Sequence, residues 1–285
     1  MRSNKIFLCV AILTSVFASC QKMVSEDLNE DLPDPPVITT LDCRPTKIQG
    51  VDQSGDVNIL NYSYSSTGSP ENCIENSSDG SVFDWLMKPG TKRMDLIYDQ
   101  WILFDDSGRV AKSRMLFIPY ENDPHSTGYI ETYTYNSSGY IVSVLTERDP
   151  NPLVTYTDSM HTVTTNTWVN GNLVKSTTEF LDGSYNEYNF TYDLSLSSRG
   201  KETMTNTYVT LLFPGFFNTG KGNANVLKTM SYKFKEPDGS IWSEGSEAYS
   251  EHVLDGQGNL TRYTINSESD GNSDIYVVTK LYRCF

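Results

Sequence analysis

The chain has 285 residues, with 36 acidic against 22 basic side chains and a formal charge of −14 at pH 7. Such a balance repels phosphate backbones and anionic surfaces, because binding to them relies on clustered Lys and Arg. Nucleic acid is therefore not expected as a partner. The 18 Tyr and 12 Phe residues, together with abundant Thr, favour strands over helices.

The first 19 residues have the layout of a secretory signal. Arg2 and Lys5 precede an apolar run, residues 6–17, which is too short to cross a hydrocarbon core that takes about 20 residues. The run ends in Phe17-Ala18-Ser19-Cys20, which resembles the bacterial lipobox. That resemblance implies that signal cleavage leaves Cys20 as the first, lipid-bearing residue of an outer-membrane lipoprotein. The alternative is an ordinary secretory signal with an incidental cysteine.

Residues 20–42 are predicted to form a tether. They are rich in proline and acids, such as Pro35, Glu26 and Asp31, and such a composition cannot bury enough apolar surface to offset its ordering entropy. A self-repelling, proline-bearing linker stays extended and would hold a single folded domain, residues 43–285, away from the membrane. Acidic residues soon after a lipidated cysteine also resemble the surface-export signal of Bacteroides-type lipoproteins, which favours exposure at the cell surface.

Three cysteines remain once Cys9 leaves with the signal and Cys20 is acylated. They are Cys43, Cys73 and Cys284. One disulfide can form in an oxidising compartment and one thiol then stays free, but the sequence does not select the pair.

Beyond Cys43 the sequence alternates between short strand patterns and glycine turns. The clearest hairpin joins residues 162–169 to 172–180 through Asn170-Gly171, since a type I′ turn needs positive φ at both central positions. Further turns of this kind are predicted at residues 105–108, 136–139, 182–183, 237–239, 255–258 and 270–271. Residues 211–225 break the pattern and are predicted to form a long irregular excursion.

Consecutive hairpins with short turns imply an antiparallel meander. In residues 129–135 the odd positions hold Tyr129, Glu131, Tyr133 and Tyr135, so a period of two places them on one face of a sheet. The predicted fold class is all-β, one meander of consecutive hairpins that curves into an open sheet or half-barrel. Periodicity alone does not decide between an open and a closed sheet.

Two segments carry a family resemblance, LFDDSGRV (103–110) and YTYNSSGYI (133–141). Both resemble the YD-type repeat, in which an aromatic is followed by Asp or Asn, two turn residues, Gly and a returning strand. VLDGQGNL (253–260) has the same cadence. Within that class the chain resembles Bacteroides-type lipoproteins of unknown function with a porin-like β fold, and residues 214–225 match their Gly/Asn insertion. The resemblance covers most of residues 43–285 and supplies no catalytic residues.

No catalytic, metal or cofactor site is predicted. The three histidines, His125, His161 and His252, lack the spacing of a metal or hydrolase motif and are expected to be solvated strand or loop side chains. Residues 220–222 are too short for a phosphate loop. Residues 266–274 imitate a calcium loop, but Val277 replaces the bidentate Glu, so a turn is expected. Asp105-Asp106 is likewise expected to supply turn hydrogen bonds.

Aromatic side chains are the feature most compatible with recognition. Trp101, Trp168 and Trp242, with the Tyr rows, could form a platform for sugar rings or a partner protein, and the alternative is that they belong to the core. Asp158-Ser159-Met160 also resembles an O-glycosylation acceptor of these bacteria.

The sequence thus predicts a lipid-anchored outer-membrane or cell-surface protein with a non-enzymatic binding or structural role. Its expected ligand is a glycan or an envelope protein. The alternatives are a glycan-acting hydrolase and a carrier that shelters a lipid inside the curved sheet.

Overall fold

The computed structural model describes residues 43–66, 70–76, 82–89, 92–96, 100–117, 127–149, 161–202 and 221–284. These residues form sixteen strands, and the predicted all-β class is confirmed. The strands are β1 (Cys43–Asp52), β2 (Val57–Tyr64), β3 (Pro70–Asn76), β4 (Val82–Pro89), β5 (Arg93–Leu96), β6 (Trp101–Phe104), β7 (Val110–Phe117), β8 (Thr127–Tyr135), β9 (Ile141–Arg148), β10 (Thr162–Val169), β11 (Asn172–Phe180), β12 (Tyr185–Glu202), β13 (Asn223–Lys235), β14 (Ile241–Leu254), β15 (Leu260–Ser269) and β16 (Asn272–Cys284).

Every strand pairs antiparallel with its neighbours in sequence, which confirms the predicted meander. β1 also pairs with β16, from Cys43 opposite Cys284 to Asp52 opposite Tyr276. The row of strands therefore returns to its start as a closed barrel. The sequence analysis expected an open sheet or half-barrel, and this pairing corrects that expectation. Because the first strand pairs with the last, neither has unpaired backbone groups where they meet, which we call the seam.

A disulfide joins the two strands of the seam. Cys43 and Cys284 are bonded, whereas Cys73 is buried and takes no part in this disulfide. The structure thus selects the pair that the sequence left open.

The turns repeat one hydrogen-bond pattern, which explains the YD-type cadence. The Asp105 N–H donates to the Arg109 carbonyl, and the Gly108 N–H donates to the Asp105 carbonyl. The Asp105 carboxylate then accepts from the N–H groups of Ser107 and Arg109. Gly108 has φ 73°, a conformation that glycine adopts without steric cost. Asp52 and Asp255 make the same set of bonds.

Two of the predicted hairpin turns are confirmed as type I′, whereas at residues 105–108, 136–139, 182–183, 237–239 and 255–258 only a glycine has positive φ. Asn170 and Gly171 have φ values of 50° and 78°, and Asp270 and Gly271 have 47° and 82°. Both central residues of each turn are therefore left-handed, as a two-residue hairpin requires.

The inner face of the described strands is packed. Along β16, Tyr276, Val278 and Lys280 are buried, whereas Ile275 and Leu281 are exposed. Tyr263, Ile265 and Met115 are among the other buried inward side chains. A barrel of sixteen strands can enclose a water-filled channel, but here large side chains such as Tyr263 and Tyr276 are fully buried on the inner face of the described strands.

One row of the outer face of β11 to β16 is polar, whereas Leu194, Val253, Ile275 and Leu281 are exposed apolar side chains on the same strands. One register row runs across these six strands, and directly opposed residues share a face. The row consists of Lys175, Asn189, Ser231, Ser246, Glu268 and Ser273. A wall that contacts lipid carries an apolar band instead, so this row of residues presents a surface suited to water.

The two ends of the barrel differ. We call the end with Cys43 and Cys284 the proximal end, because the segment predicted from the sequence to be a tether, residues 20–42, precedes Cys43. The distal end holds the turns that follow Asp52 and Asp270. At the proximal end, the Lys221 N–H donates to the Gly139 carbonyl and the Ala224 N–H to the Gly171 carbonyl. The last residues of the predicted excursion thus contact two neighbouring hairpin turns, and residues 223–225 belong to β13 instead of an irregular segment.

Candidate functional site

The three tryptophans proposed as a platform are not brought together. Trp101, Trp168 and Trp242 lie on β6, β10 and β14, so four strand positions separate each from the next around the barrel. Arg93 lies over the Trp101 ring, 5.6 Å from its centroid. Trp168 donates to the Ile141 carbonyl at 2.7 Å. Trp242 alone of the three is exposed, with 54% of its surface accessible.

A cleft of about 580 Å³ opens near the distal end, lined by residues of β13 to β16. Its floor is part of the polar outer row. Ser231 faces Ser246, Ser246 faces Glu268, and Glu268 faces Ser273. Because three of these four residues carry the short serine side chain, the floor is low relative to the longer side chains around it. We call this feature the distal cleft.

The rim of the distal cleft is charged and predominantly acidic. Lys233 and Glu244 form an ion pair at 3.4 Å in which both side chains are largely exposed, so the pair holds little energy and can rearrange. Asp270 accepts a hydrogen bond from the Ser243 hydroxyl at 2.9 Å. With Glu268, the lining residues comprise three carboxylates and one ammonium group.

Gly245 allows β14 to pass unusually close to its neighbours. A Cβ atom at this position would lie 2.5 Å from both the Tyr232 hydroxyl and the Glu268 carbonyl oxygen. The Tyr232 hydroxyl instead reaches over the glycine and donates to the Ser269 Oγ at 2.7 Å. Burial raises the pKa of Tyr232, so the phenol stays a protonated donor at neutral pH.

A row of aromatic rings supports the exposed Trp242. Its ring centroid is 5.2 Å from that of Phe234, which in turn stacks on Tyr232 at 5.0 Å. The register between β13 and β14 shifts just after Phe234, and such a bulge re-aims a side chain at the end of a strand. Phe234 is buried on the inner face, opposite Ser243. The exposed indole therefore stands at the distal rim of the inner face, and it is not among the residues that line the distal cleft.

Two buried Glu-x-Tyr pairs lie on the inner face, and the sequence analysis missed both. Glu131 accepts from the hydroxyls of Tyr133 at 2.5 Å and Ser113 at 3.3 Å. Glu247 accepts from the Tyr249 hydroxyl. Burial raises the pKa of Glu247 to about 7, against the lowering effect of that hydrogen bond. The sequence signal that could have revealed these pairs is a glutamate two residues before a tyrosine in an alternating strand, because both side chains then lie on the same face of the sheet.

The predicted histidine and aspartate candidates have structural surroundings. The His161 imidazole lies 4.0 Å from the Glu147 carboxylate on the surface, and burial lowers the pKa of His252. Asp105 pairs with Arg109 at 2.7 Å and Asp106 with Lys92 at 2.5 Å, which fits the expected turn role.

The residues that imitate a calcium loop form the β15–β16 hairpin. Among the described residues, no three His, Cys, Asp or Glu side chains are grouped as a metal ion would need. Within the same ranges, no helix has the length and apolar character to cross a bilayer. The positions Cys20, His125, Asp158-Ser159-Met160 and Gly220 lie outside the described residues.

No protein-family model matches the sequence, and no curated protein matches it. Solved structures do match the fold. A porin-like protein from Bacteroides uniformis aligns with a TM-score of 0.56 and 12% identity over 84% of this chain and 96% of its own. A porin-like protein from Bacteroides vulgatus gives 0.56 and 12% over 85% and 99%. At this identity the likeness shows a shared fold, so the chain has the β-fold of these porin-like proteins.

Proposed function

We propose that the chain is a lipid-anchored protein of the bacterial outer membrane with a non-enzymatic binding role, performed by the distal cleft. The observation that carries the proposal is the position of the cleft. It lies at the end of the barrel opposite Cys43, the residue to which the tether joins.

The length of the strands separates the two ends. β16 runs 13 residues from Asn272, beside the cleft, to Cys284 at the proximal end, which corresponds to about 40 Å of extended chain. A membrane anchor at Cys20 would hold the proximal end nearest the lipid. The cleft and Trp242 would then point away from the membrane, toward ligands in solution or in the envelope.

The packed interior supports binding on the outer wall in preference to the alternative of a lipid carrier. A carrier needs an internal cavity lined by apolar groups. Here the inward side chains of β15 and β16, such as Tyr263, Ile265 and Tyr276, are at most 2% exposed because they pack against one another and their neighbours.

The acidity of the cleft does not by itself support the hydrolase alternative. Glycoside hydrolysis needs a general acid that burial keeps protonated near neutral pH. Glu244, Glu268 and Asp270 are exposed. Three carboxyl groups of the described residues are buried: Glu131 and Glu247 lie on the inner face, and Asp149 forms an ion pair with Arg114.

The anchor is tested by Cys20→Ser. We expect the parent chain in the membrane fraction and the variant in the soluble fraction of a bacterial host that lipidates such signals. Palmitate labelling of the parent but not the variant would support the thioether at Cys20. Membrane retention of the unlabelled variant would refute the anchor.

The binding role is tested on immobilised polysaccharides, peptides and lipid vesicles with the soluble Cys20→Ser chain. Ser246→Arg places a long cation in the cleft floor and is expected to abolish retention. The matched control is Thr165→Arg, also an exposed outward position but on β10. Retention that Ser246→Arg leaves unchanged, or turnover of any polysaccharide, would contradict the proposal.

A further inference from the structure

The distal ends of β10 to β13 carry, on their inner face, a surface that differs from the distal cleft on the outer wall. We propose that this surface binds a short neutral oligosaccharide, whose rings pack on aromatic side chains while uncharged hydroxyl and amide groups pair with its hydroxyls. We call it the distal inner wall. The inference goes beyond the proposed function, because the two surfaces lie on opposite faces of the barrel wall.

Two register rows form the distal inner wall, since directly opposed residues share a face. The first row consists of Asn166, Ser176, Tyr188 and Tyr232. The second row lies nearer the distal end and consists of Thr164, Thr178, Asn186 and Phe234. In both rows short hydroxyl and amide side chains stand next to aromatic rings, and none of these side chains is charged. This combination suits a ligand with an apolar ring face and a polar edge.

The distal inner wall faces the interior and can be reached there. The adjacent residues Lys175 and Asn189 belong to the outer row, and successive side chains of a strand alternate between the two faces. Tyr188 and Tyr232 are nevertheless partly exposed, whereas Tyr263, on the inner face of β15, is 1% exposed. The inner face is therefore accessible along β12 and β13, although it is closed along β15.

Two buried polar atoms of the first row have no hydrogen-bond partner among the described residues. They are the Ser176 Oγ and the Asn166 Oδ1, and the two residues are directly opposed, with 1% and 6% of their surfaces exposed. The Asn166 amide nitrogen donates to the Ile141 carbonyl at 3.3 Å. The next pair, Thr164 and Thr178, bonds hydroxyl to hydroxyl at 2.8 Å.

These two atoms favour a ligand that carries hydroxyl groups. A buried polar group without a partner is destabilising. A sugar hydroxyl both donates and accepts, so one such group can donate to the Asn166 Oδ1 and pair with the Ser176 hydroxyl. Tyr188 lies directly opposite Ser176, one strand spacing or about 4.8 Å away. A sugar ring on Tyr188 would therefore have its edge beside Ser176.

Aromatic rings continue from Tyr188 to the distal rim. The Phe234 ring centroid lies 6.1 Å from that of Tyr188 and 5.2 Å from that of Trp242. Phe234 is buried and supports both neighbours, whereas 54% of the Trp242 surface is accessible. The C–H face of a sugar ring packs on an aromatic ring, and such rigid side chains supply contact area at low conformational cost. Tyr188 and Trp242 can thus each hold one ring of a short chain.

The charge of the surroundings favours a neutral sugar. An inward carboxyl group, Glu247, lies one row deeper in the barrel, opposite Met230, and accepts from the Tyr249 hydroxyl. Burial raises the pKa of Glu247 to about 7, so this carboxyl is largely neutral at pH 6. In the two rows a cation would meet no fixed negative charge and a uronate no positive charge.

Titration calorimetry at pH 6 on the soluble Cys20→Ser chain tests the sugar inference. The probes are cellotriose, maltotriose, N-acetylated chitotriose, trigalacturonate and choline. We expect at least one neutral trisaccharide to bind, and neither trigalacturonate nor choline. Ser176→Ala and Trp242→Ala should each weaken this binding about 10-fold. Thr165→Arg is the matched control, since it lies on β10 but points outward, and it should leave binding unchanged.

The outcomes separate this inference from the proposed function. Sugar binding that Ser246→Arg abolishes and Ser176→Ala leaves unchanged would assign the sugar to the distal cleft, which overturns this inference and keeps the binding role of the cleft. Binding of choline or trigalacturonate in place of a neutral sugar would also overturn it. If no neutral trisaccharide binds, the inference fails, whereas the cleft is judged by its own immobilised ligands. Unchanged circular dichroism of each variant establishes that the fold is retained.

Discussion

Glu247 is a carboxyl group on the inner face of β14, with 2% of its surface exposed. Burial raises its pKa from 4.5 to about 7, although the Tyr249 hydroxyl stabilises the charged form. Its charge also raises the pKa of the nearby Tyr188, after the larger effect of burial on that phenol. The barrel therefore encloses a group whose ionisation near neutral pH is costly.

Glu247→Gln is expected to flatten the pH dependence of stability. A raised folded-state pKa means that the parent's stabilisation is complete below pH 4.5 and is lost as pH rises to about 7, by about 3 kcal/mol. The glutamine keeps an acceptor for Tyr249 and cannot ionise. Urea unfolding of both chains at pH 5 and pH 8 measures the effect. If the free energy of unfolding changed equally between the two pH values in both chains, the pKa of Glu247 would be the same in the folded and unfolded states.

At the scale of strands and turns, the sequence predicted the features that depend on residues close together in the chain. The turn at Asn170-Gly171 and the loop after Asp105 were identified because their hydrogen bonds lie within a few residues. The turn after Asp52 makes the same bonds and was missed, because no strand pattern singled it out. The distal cleft could not be predicted. It forms because Ser231 lies opposite Ser246 and Ser246 lies opposite Glu268, and this alignment depends on the register of three strands.

Gly245→Ala tests the close approach of β13, β14 and β15. The new methyl group would meet the Tyr232 ring and the Glu268 backbone at about 2.5 Å, and such overpacking costs roughly 1–3 kcal/mol. Gly256→Ala is the matched control in the same strand pair, because nothing lies within 4 Å of its Cβ. Thermal unfolding should show a lower midpoint for the first variant alone. Equal midpoints would mean that β14 relaxes around the methyl group.

Closure is a property of the whole molecule, and periodicity could not reveal it. Alternating strands look the same in an open sheet and a closed barrel, and the choice depends on residues at opposite ends of the domain. Cys43 and Cys284 are 241 positions apart, and nothing local distinguishes either from Cys73. Their disulfide and the β1–β16 register together define the seam.

Cutting the disulfide should destabilise the whole barrel. A cross-link over 241 positions restricts the unfolded chain strongly, by about 5 kcal/mol in the chain-entropy account. We expect reduction, or Cys43→Ser with Cys284→Ser, to lower the urea midpoint. Amide exchange should accelerate in β1 and β16 more than in β8 and β9, since the seam loses its covalent bond. The double variant is the control for other effects of the reductant, because adding reductant should not lower its urea midpoint further. A parent midpoint that reduction leaves unchanged would mean that strand pairing alone holds the seam.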